Sequence, residues 1–207
     1  MQPRAAETPK RRAAEMLAAA AKVFARRGYH GASTQDIADV LGIRQASLYY
    51  YFASKEAALE AVCADGIEDY ENRAREILRS RQSAADKVAR LVVQHLAPLQ
   101  ERLDFTLTFL RERRFLPSPA RHRIRAIEIR YERTIEKVIE QGVASGEFRT
   151  DLDTRMAALA LLGLGNSAAA WFGREGGATL ERITSSYVDL LVRAFRKGSA
   201  PKLRVTH

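Results

Sequence analysis

Ser33-Thr34-Gln35-Asp36-Ile37-Ala38-Asp39-Val40-Leu41-Gly42-Ile43-Arg44-Gln45-Ala46-Ser47-Leu48-Tyr49-Tyr50-Tyr51-Phe52-Ala53-Ser54-Lys55-Glu56 reads as two short helices joined by a glycine turn. Ser33 and Asp36 stand in a Ser-x-x-Asp relation, which caps a helix over about residues 34–41. Ile37, Ala38 and Leu41 give that helix one apolar face, and Gly42 follows where a left-handed residue ends a helix at least cost. Ile43 re-enters the core. A second helix is expected from Gln45 to Tyr51, with Leu48 and Phe52 facing inward. Two short helices, a tight turn and a small shared core make a helix-turn-helix.

The outward positions of the second helix say what the motif is for. Gln45, Ala46 and Ser47 occupy its first turn, the part of a recognition helix that reaches base edges in the major groove. Gln pairs with adenine, Ser bonds to several base edges, and an Ala methyl suits the thymine methyl. Tyr49, Tyr50 and Tyr51 cannot all be buried on so short a helix; their hydroxyls suit phosphate oxygens, as does Lys55. A plain helical core with surface tyrosines is the bland alternative. The coincidence of turn, core spacing and tyrosine cluster favours the DNA-reading one.

Outward from this stretch the whole chain reads as helical. Thr8 and Pro9 form a helix entrance, followed by an inward stripe of Leu17, Ala20, Ala21 and Phe24, with Gly28 as the stop. Lys10, Arg11 and Arg12 sit at its start as candidate phosphate contacts. A long helix is expected from Ser54 to about Ser80, with Leu59, Val62 or Cys63, Ile67, Tyr70 and Ile77 inward and Cys63 as a small core residue. Further helices are expected over 83–102 (bent at Pro98), 104–115, from the Pro117/Pro119 break to Ser145, after Asp151 and Asp153, either of which can cap, and over 179–197 with Thr179 as cap. His95 reads as a hydrogen-bonded core residue. The helix after Asp153 is rich in small residues, and the last repeats Leu180, Ile183, Tyr187, Leu190, Leu191 and Ala194. Those two helices carry more apolar surface than one protomer covers, which implies a homodimer through a four-helix bundle.

Composition agrees and excludes several classes. The 207-residue chain carries a formal charge of +9, which suits a polyanion such as DNA. Residues 1–60 hold a net +3, whereas residues 111–133 alone hold eight Arg against three Glu. The strongest basic stretch therefore lies away from the helix-turn-helix. One cysteine excludes an internal disulfide and fits a reducing cytoplasm; the four histidines have no metal-ligand spacing. No apolar leader begins the chain, and the run from Met156 to Phe172 is interrupted by Gly163, Gly165, Asn166 and Ser167, so no membrane association is expected. No cofactor is implied.

The residues Gly28, Gly31, Thr34, Ile37, Ala38, Gly42, Ser47, Leu48, Tyr49, Phe52, Lys55, Glu56 and Leu59 resemble the TetR family of bacterial transcriptional repressors, over residues 9–69 and without a gap. The resemblance implies an all-α protein with a three-helix helix-turn-helix domain at 9–69, a helical ligand-binding and dimerisation domain at 70–197, and a basic tail at 198–207. It implies that Thr34 and Gln35 approach the DNA backbone, and that Gln45, Ala46, Ser47, Tyr49, Tyr50, Tyr51 and Lys55 face a double-stranded operator. Two positions depart from the family pattern. Arg44 stands where Ser is frequent, weakening the cap while adding a possible phosphate or base contact; Tyr51 stands where His is frequent, losing the option of a positive charge.

The second domain is expected to bind a small effector. Phe105, Phe109, Tyr131, Trp171 and Phe172 either line a pocket or are plain core. Tyr131 through Gly142, Gly146 through Asp153, Asn166, Trp171-Phe172 and Gly176-Gly177 are similar to the branch regulating fatty-acid and aromatic-acid degradation, whose effectors are acyl-CoA thioesters. The Arg-rich stretch, Arg113 included, suits CoA phosphates, with a solvated face as the alternative. A sensor of hydrophobic drugs or cations, an acyl-CoA-binding enzyme and a constitutive architectural DNA binder are the competing readings. The enzyme lacks any Gly-x-Ser-x-Gly elbow, Cys-His-Asp set or metal cluster in the sequence.

Overall fold

The computed structural model describes residues 9–173 and 178–198, and no strand occurs among them. Thr8, Gly176, Gly177 and the tail from residue 199 lie outside the described residues. In chain order the helices are α1 (Pro9–Gly31), α2 (Thr34–Leu41), α3 (Gln45–Tyr49), α4 (Lys55–Arg79), α5 (Ala84–Leu96), α6 (Pro98–Glu101), α7 (Leu103–Glu112), α8 (Ser118–Ala144), α9 (Thr154–Trp171) and α10 (Leu180–Phe195). A 3-10 turn, Arg113–Phe115, follows α7. The chain forms two compact units: residues up to Asp69 with Arg102–Ile127, and Tyr70–Glu101 with the residues from Glu128 onward. Residues 102–127, expected in the second domain, thus pack with the first unit.

In the first unit α1 buries Met16, Ala19, Ala20, Ala21, Val23 and Phe24. Met16 rather than Leu17 heads that stripe; Leu17 is half-buried. The helix kinks at Gly28, whose φ of 68° and ψ of 168° suit a residue without Cβ. At α2 the Ser33 hydroxyl accepts from the Asp36 N–H (3.1 Å) while the Asp36 carboxylate accepts from the Ser33 N–H (2.8 Å), a complete capping box. Gly42 closes α2 at φ 63°, ψ 33°, and its N–H returns to the carbonyls of Ala38 and Asp39. The second helix is shorter than expected: α3 stops at Tyr49, and the N–H groups of Tyr51 and Phe52 both return to the Leu48 carbonyl. The physical reason is the next entrance. Phe52 is drawn into the core, and Ser54 already caps α4 by accepting from the Ala57 N–H at 3.1 Å.

In the second unit α5 ends at Leu96 instead of bending through to residue 102. Pro98 has no N–H to continue the ladder, and it opens the single turn α6 instead. The Glu147 carboxylate caps α5 from a distance, accepting from the N–H groups of Ala84 (3.0 Å) and Ala85 (3.1 Å), and these bonds hold its pKa below the usual range. Asp153 caps α9 and Thr179 caps α10, as the sequence led us to expect.

On α10 the buried residues are Ile183, Leu191 and Phe195, whereas Leu190, read as inward, is 54% exposed. The stripe at 183, 187, 191 and 195 drifts about 40° round the helix at each step, so by its C-terminal half Leu190 lies about 100° from Leu191 and outside the buried sector. The small residues of α9 separate the same way. Ala157, Ala158, Gly165, Ala168 and Ala169 are buried, while Met156, Ala160, Gly163, Ser167 and Ala170 form an exposed stripe.

Two glycines only two residues apart, Gly163 and Gly165, are not equivalent. A Cβ on Gly165 would lie inside the His95 ring's van der Waals surface, whereas one on Gly163 meets nothing within 4 Å. Gly165→Ala should therefore lower stability by about 1–3 kcal/mol through overpacking. Gly163→Ala should cost less, since its Cβ meets no atom of its own protomer within 4 Å. Urea unfolding of the two variants separates these outcomes, and equal midpoints would contradict the assignment.

Candidate nucleic-acid interface and buried polar core

The helix-turn-helix brings together most of the residues singled out for DNA. Gln45 Nε2 donates to Thr34 Oγ1 at 2.7 Å, and the Tyr49 hydroxyl lies 3.4 Å from the same oxygen. Side chains from the first turn of α2 and both ends of α3 thus form one polar surface. Gln35 donates to Asp39 Oδ1 at 2.7 Å, one turn along α2. Arg44, Ala46 and Ser47 are exposed beside them, and Arg44 makes no side-chain cap to α3. Tyr50 is 88% exposed and meets Tyr51 edge to face at 5.5 Å between ring centroids. An aromatic ring so exposed has no folding role.

Lys55 is placed otherwise. Its ammonium donates to the backbone carbonyls of Tyr29 and Ala32, each at 3.0 Å, and sits 4.3 Å from the centroid of the Tyr29 ring. The last carbonyls of a helix have no intrahelical partner, and a lysine nearby completes them. Two of its three donors are spent inside the protein.

Tyr29 itself was not singled out from the sequence, yet four groups converge on it. Its N–H donates to Glu112 Oε2 at 2.8 Å, its carbonyl accepts from Lys55, and its hydroxyl donates to Glu56 Oε1. Its ring stacks on Phe115 with 5.6 Å between centroids. Burial and the Glu56 carboxylate push the Tyr29 phenol up to about 12, and the same bond holds Glu56 below its usual range. Arg27 ties α1 to α2 by an ion pair with Asp36 at 2.6 Å. The local signal was Gly28, which predicts a break; the partners lie up to 83 residues away and carry no local signature.

The candidate effector residues divide between the two units. Phe105, Phe109 and Arg113 belong to the first, where Phe105 and Phe109 are half-buried on α7. The Arg102 guanidinium lies 3.8 Å from the Phe105 ring centroid and that of Arg113 5.0 Å from Phe109. Arg113 also donates to the carbonyls of Phe109 (3.2 Å) and Leu110 (3.0 Å), completing the end of α7. The Arg-rich stretch divides likewise, and Arg123 is paired with Glu60 at 2.6 Å.

Tyr131, Asn166, Trp171 and Phe172 belong to the second unit. Tyr131 is buried, and its hydroxyl lies 3.0 Å from His95 Nδ1. Asn166 Oδ1 lies 3.2 Å from His95 Nε2, and the Tyr70 hydroxyl donates to the His95 carbonyl at 3.2 Å. If His95 carries its proton on Nε2, it donates to Asn166 and accepts from Tyr131, so both ring nitrogens are satisfied in the neutral form. His95 is thus the hydrogen-bonded core residue its position implied. Trp171 and Phe172 are half-buried at the end of α9. Among the described residues no three His, Cys, Asp or Glu side chains are grouped to hold a metal ion, and no helix is long and apolar enough to cross a membrane.

Two family profiles match the chain. The one described as bacterial regulatory proteins, tetR family, covers residues 16–62, and the one described as tetracyclin repressor-like, C-terminal domain, covers residues 81–195. The repressor KstR2 of Rhodococcus jostii is 26% identical over 182 residues, 87% of this chain and 89% of that protein. The fatty acid metabolism regulator protein of Bacillus subtilis is 25% identical over 179 residues, 86% and 92% of the two chains. Two solved structures at 24% identity share the fold. AibR in complex with isovaleryl coenzyme A and operator DNA superposes with a TM-score of 0.78 over 87% of this chain and 98% of its own. FadR from Bacillus subtilis in complex with stearoyl-CoA gives 0.74 over 88% and 99%.

Burial lowers the His95 pKa from 6.5 to about 4, so the folded second unit holds a neutral imidazole where the unfolded chain would protonate. The unfolded state therefore binds more protons between those values, and stability falls as pH drops from about 6.5 toward 4. His95→Gln should remove a pH-dependent part worth about 3 kcal/mol across that window. Parallel melting curves of the two proteins from pH 8 to 4 check this; curves that stay parallel would show that His95 takes no part.

Proposed function

Because the chain belongs to the TetR family of bacterial regulatory proteins, we propose that it is a homodimeric repressor that holds a palindromic operator until an acyl-CoA thioester releases it. The observation that carries the DNA reading is the exposed polar surface at Thr34, Gln45 and Tyr49, flanked by Ser47 and the solvent-facing Tyr50. Gln45 and Ser47 reach base edges at the start of α3, with Ala46 against a thymine methyl. Thr34, Gln35, Arg44, Tyr49, Tyr50 and Tyr51 hold phosphates and set the register, while Lys55 braces the end of α1.

A palindrome calls for two such heads about 34–36 Å apart. The exposed stripe of Met156, Ala160, Gly163, Ser167 and Ala170 on α9, with Leu190 on α10, is the surface for the second copy. Gly163 has no neighbour in its own protomer that needs it small, which fits a partner helix at close range. An effector that binds better to a head spacing other than the operator's shifts the population off DNA, and DNA weakens the effector by the same factor. Repression of this kind acts on the chromosome, hence in the cytoplasm, and requires no catalysis.

The ligand class is supported by the name of the Bacillus subtilis relative, a regulator of fatty acid metabolism, and by the guanidinium-stacked aromatics of α7, which offer both apolar surface and cations. The CoA thioesters held by the two solved structures are the first to test.

Three outcomes are expected. Stearoyl-CoA or isovaleryl-CoA, but not the free acid, should release the protein from a duplex selected out of a random pool, as read by a gel shift. Release by hydrophobic cations instead would transfer the protein to the drug-sensing reading, and turnover of the thioester would make it an enzyme. Gln45→Ala should change the base preferred under α3 by about 1–3 kcal/mol of discrimination, whereas Tyr49→Phe should weaken all duplexes alike; an unchanged selected sequence in the first would remove Gln45 as a base reader. Gly163→Leu should convert the dimer to monomer in sedimentation, and a retained dimer would move the interface elsewhere.

A further inference from the structure

We propose that Glu112, at the end of α7, is the positioning residue that holds the reading head in its DNA-competent geometry. It rests on the reading of the first unit as an operator-binding head, and it deepens that reading by assigning its control point.

The kink at Gly28 takes the Tyr29 N–H out of the regular α1 ladder, and the Glu112 carboxylate accepts it at 2.8 Å from an otherwise buried position. An N–H shielded from water and left without a partner is costly, and a charged acceptor is the stronger kind of partner. The bond therefore decides where the last turn of α1 sits. The elements on either side of the recognition helix are tied to that turn: Lys55 holds the carbonyls of Tyr29 and Ala32, Glu56 holds the Tyr29 hydroxyl, and Ser33 follows at once as the cap of α2.

Glu112 does not act alone on α7. Thr108, one turn earlier on the same stripe and fully buried, donates to the Ala21 carbonyl at 3.1 Å. These two bonds fix both the rotation and the axial position of α7 against α1. Phe105 and Phe109 form the adjoining stripe, about 60° round the helix. A rotation of α7 large enough to reseat those rings draws Glu112 off the Tyr29 N–H, so occupation of the aromatic stripe is felt at the reading head.

The test needs no effector. Glu112→Gln keeps an oxygen within reach of the Tyr29 N–H; Glu112→Asp keeps the charge but withdraws it by one methylene. Hydrogen exchange of the free protein should quicken across residues 29–41 in Glu112→Asp and stay near wild type in Glu112→Gln. Affinity for the duplex selected by the wild-type protein should fall at least about tenfold in Glu112→Asp and less than about threefold in Glu112→Gln, with circular dichroism confirming that both are folded. Unchanged exchange and affinity in Glu112→Asp would overturn the proposal, as would a Glu112→Gln variant impaired to the same degree. Should the wild-type protein select no duplex, the operator reading fails by itself, and the exchange comparison still decides the role of Glu112.

Discussion

The first unit depends on one constraint: a helix broken at Gly28 must have its freed backbone groups completed from outside itself. Residues in a left-handed conformation end or bend helices because the next N–H no longer meets its carbonyl. Here the N–H goes to Glu112, and the Tyr29 and Ala32 carbonyls go to Lys55. The two charges have opposite sign and complete opposite ends of the same backbone segment. A hydrophobic contact tolerates sliding; a charged group on a single backbone atom does not. The recognition helix, only five residues long, takes its place from its neighbours: the Gly42 turn ties it to α2, Leu48 is buried in the core, and this joint fixes the end of α1 that leads into α2.

Legibility in the sequence follows the range of the physics. The capping box of Ser33 and Asp36, the left-handed Gly42, and the caps at Asp153 and Thr179 are each contained within a few residues, and each is found where the sequence places it. The early end of α3 and the break before Pro98 came out differently because a local competitor won: the Ser54 cap in one case, the missing proline N–H in the other. Tyr29, Glu56 and Glu112 were illegible for the converse reason. Their bonds join positions 27 and 83 apart, and nothing in the neighbourhood of a glutamate announces that it will cap a distant kink.

The candidate ligand residues show the same limit from another side. Helical spacing puts Phe105 and Phe109 on one stripe, and the structure keeps them there. Spacing cannot say that a guanidinium will cover each ring, nor that residues 102–127 pack with the first unit. Lys55 is instructive in this respect. Its family position reads as a phosphate contact, and its geometry adds a brace that no local pattern announces, since two of its three donors hold the Tyr29 and Ala32 carbonyls.

The second unit reuses the principle with a neutral group. His95 is buried among Tyr131, Asn166 and the backbone of Gly165, and only the absence of a side chain at 165 lets the ring approach α9. Asn166, the next residue, offers its carbonyl inward to His95 while standing on the exposed side of α9, between the buried Gly165 and the open Ser167. An amide in that place has its acceptor committed and its donors left over, since Asn carries both. A polar residue so anchored at the border of a small-residue stripe resists rotation of α9 more than further alanine would. The stripe proposed for a second copy thus borders a residue tied to the core through His95.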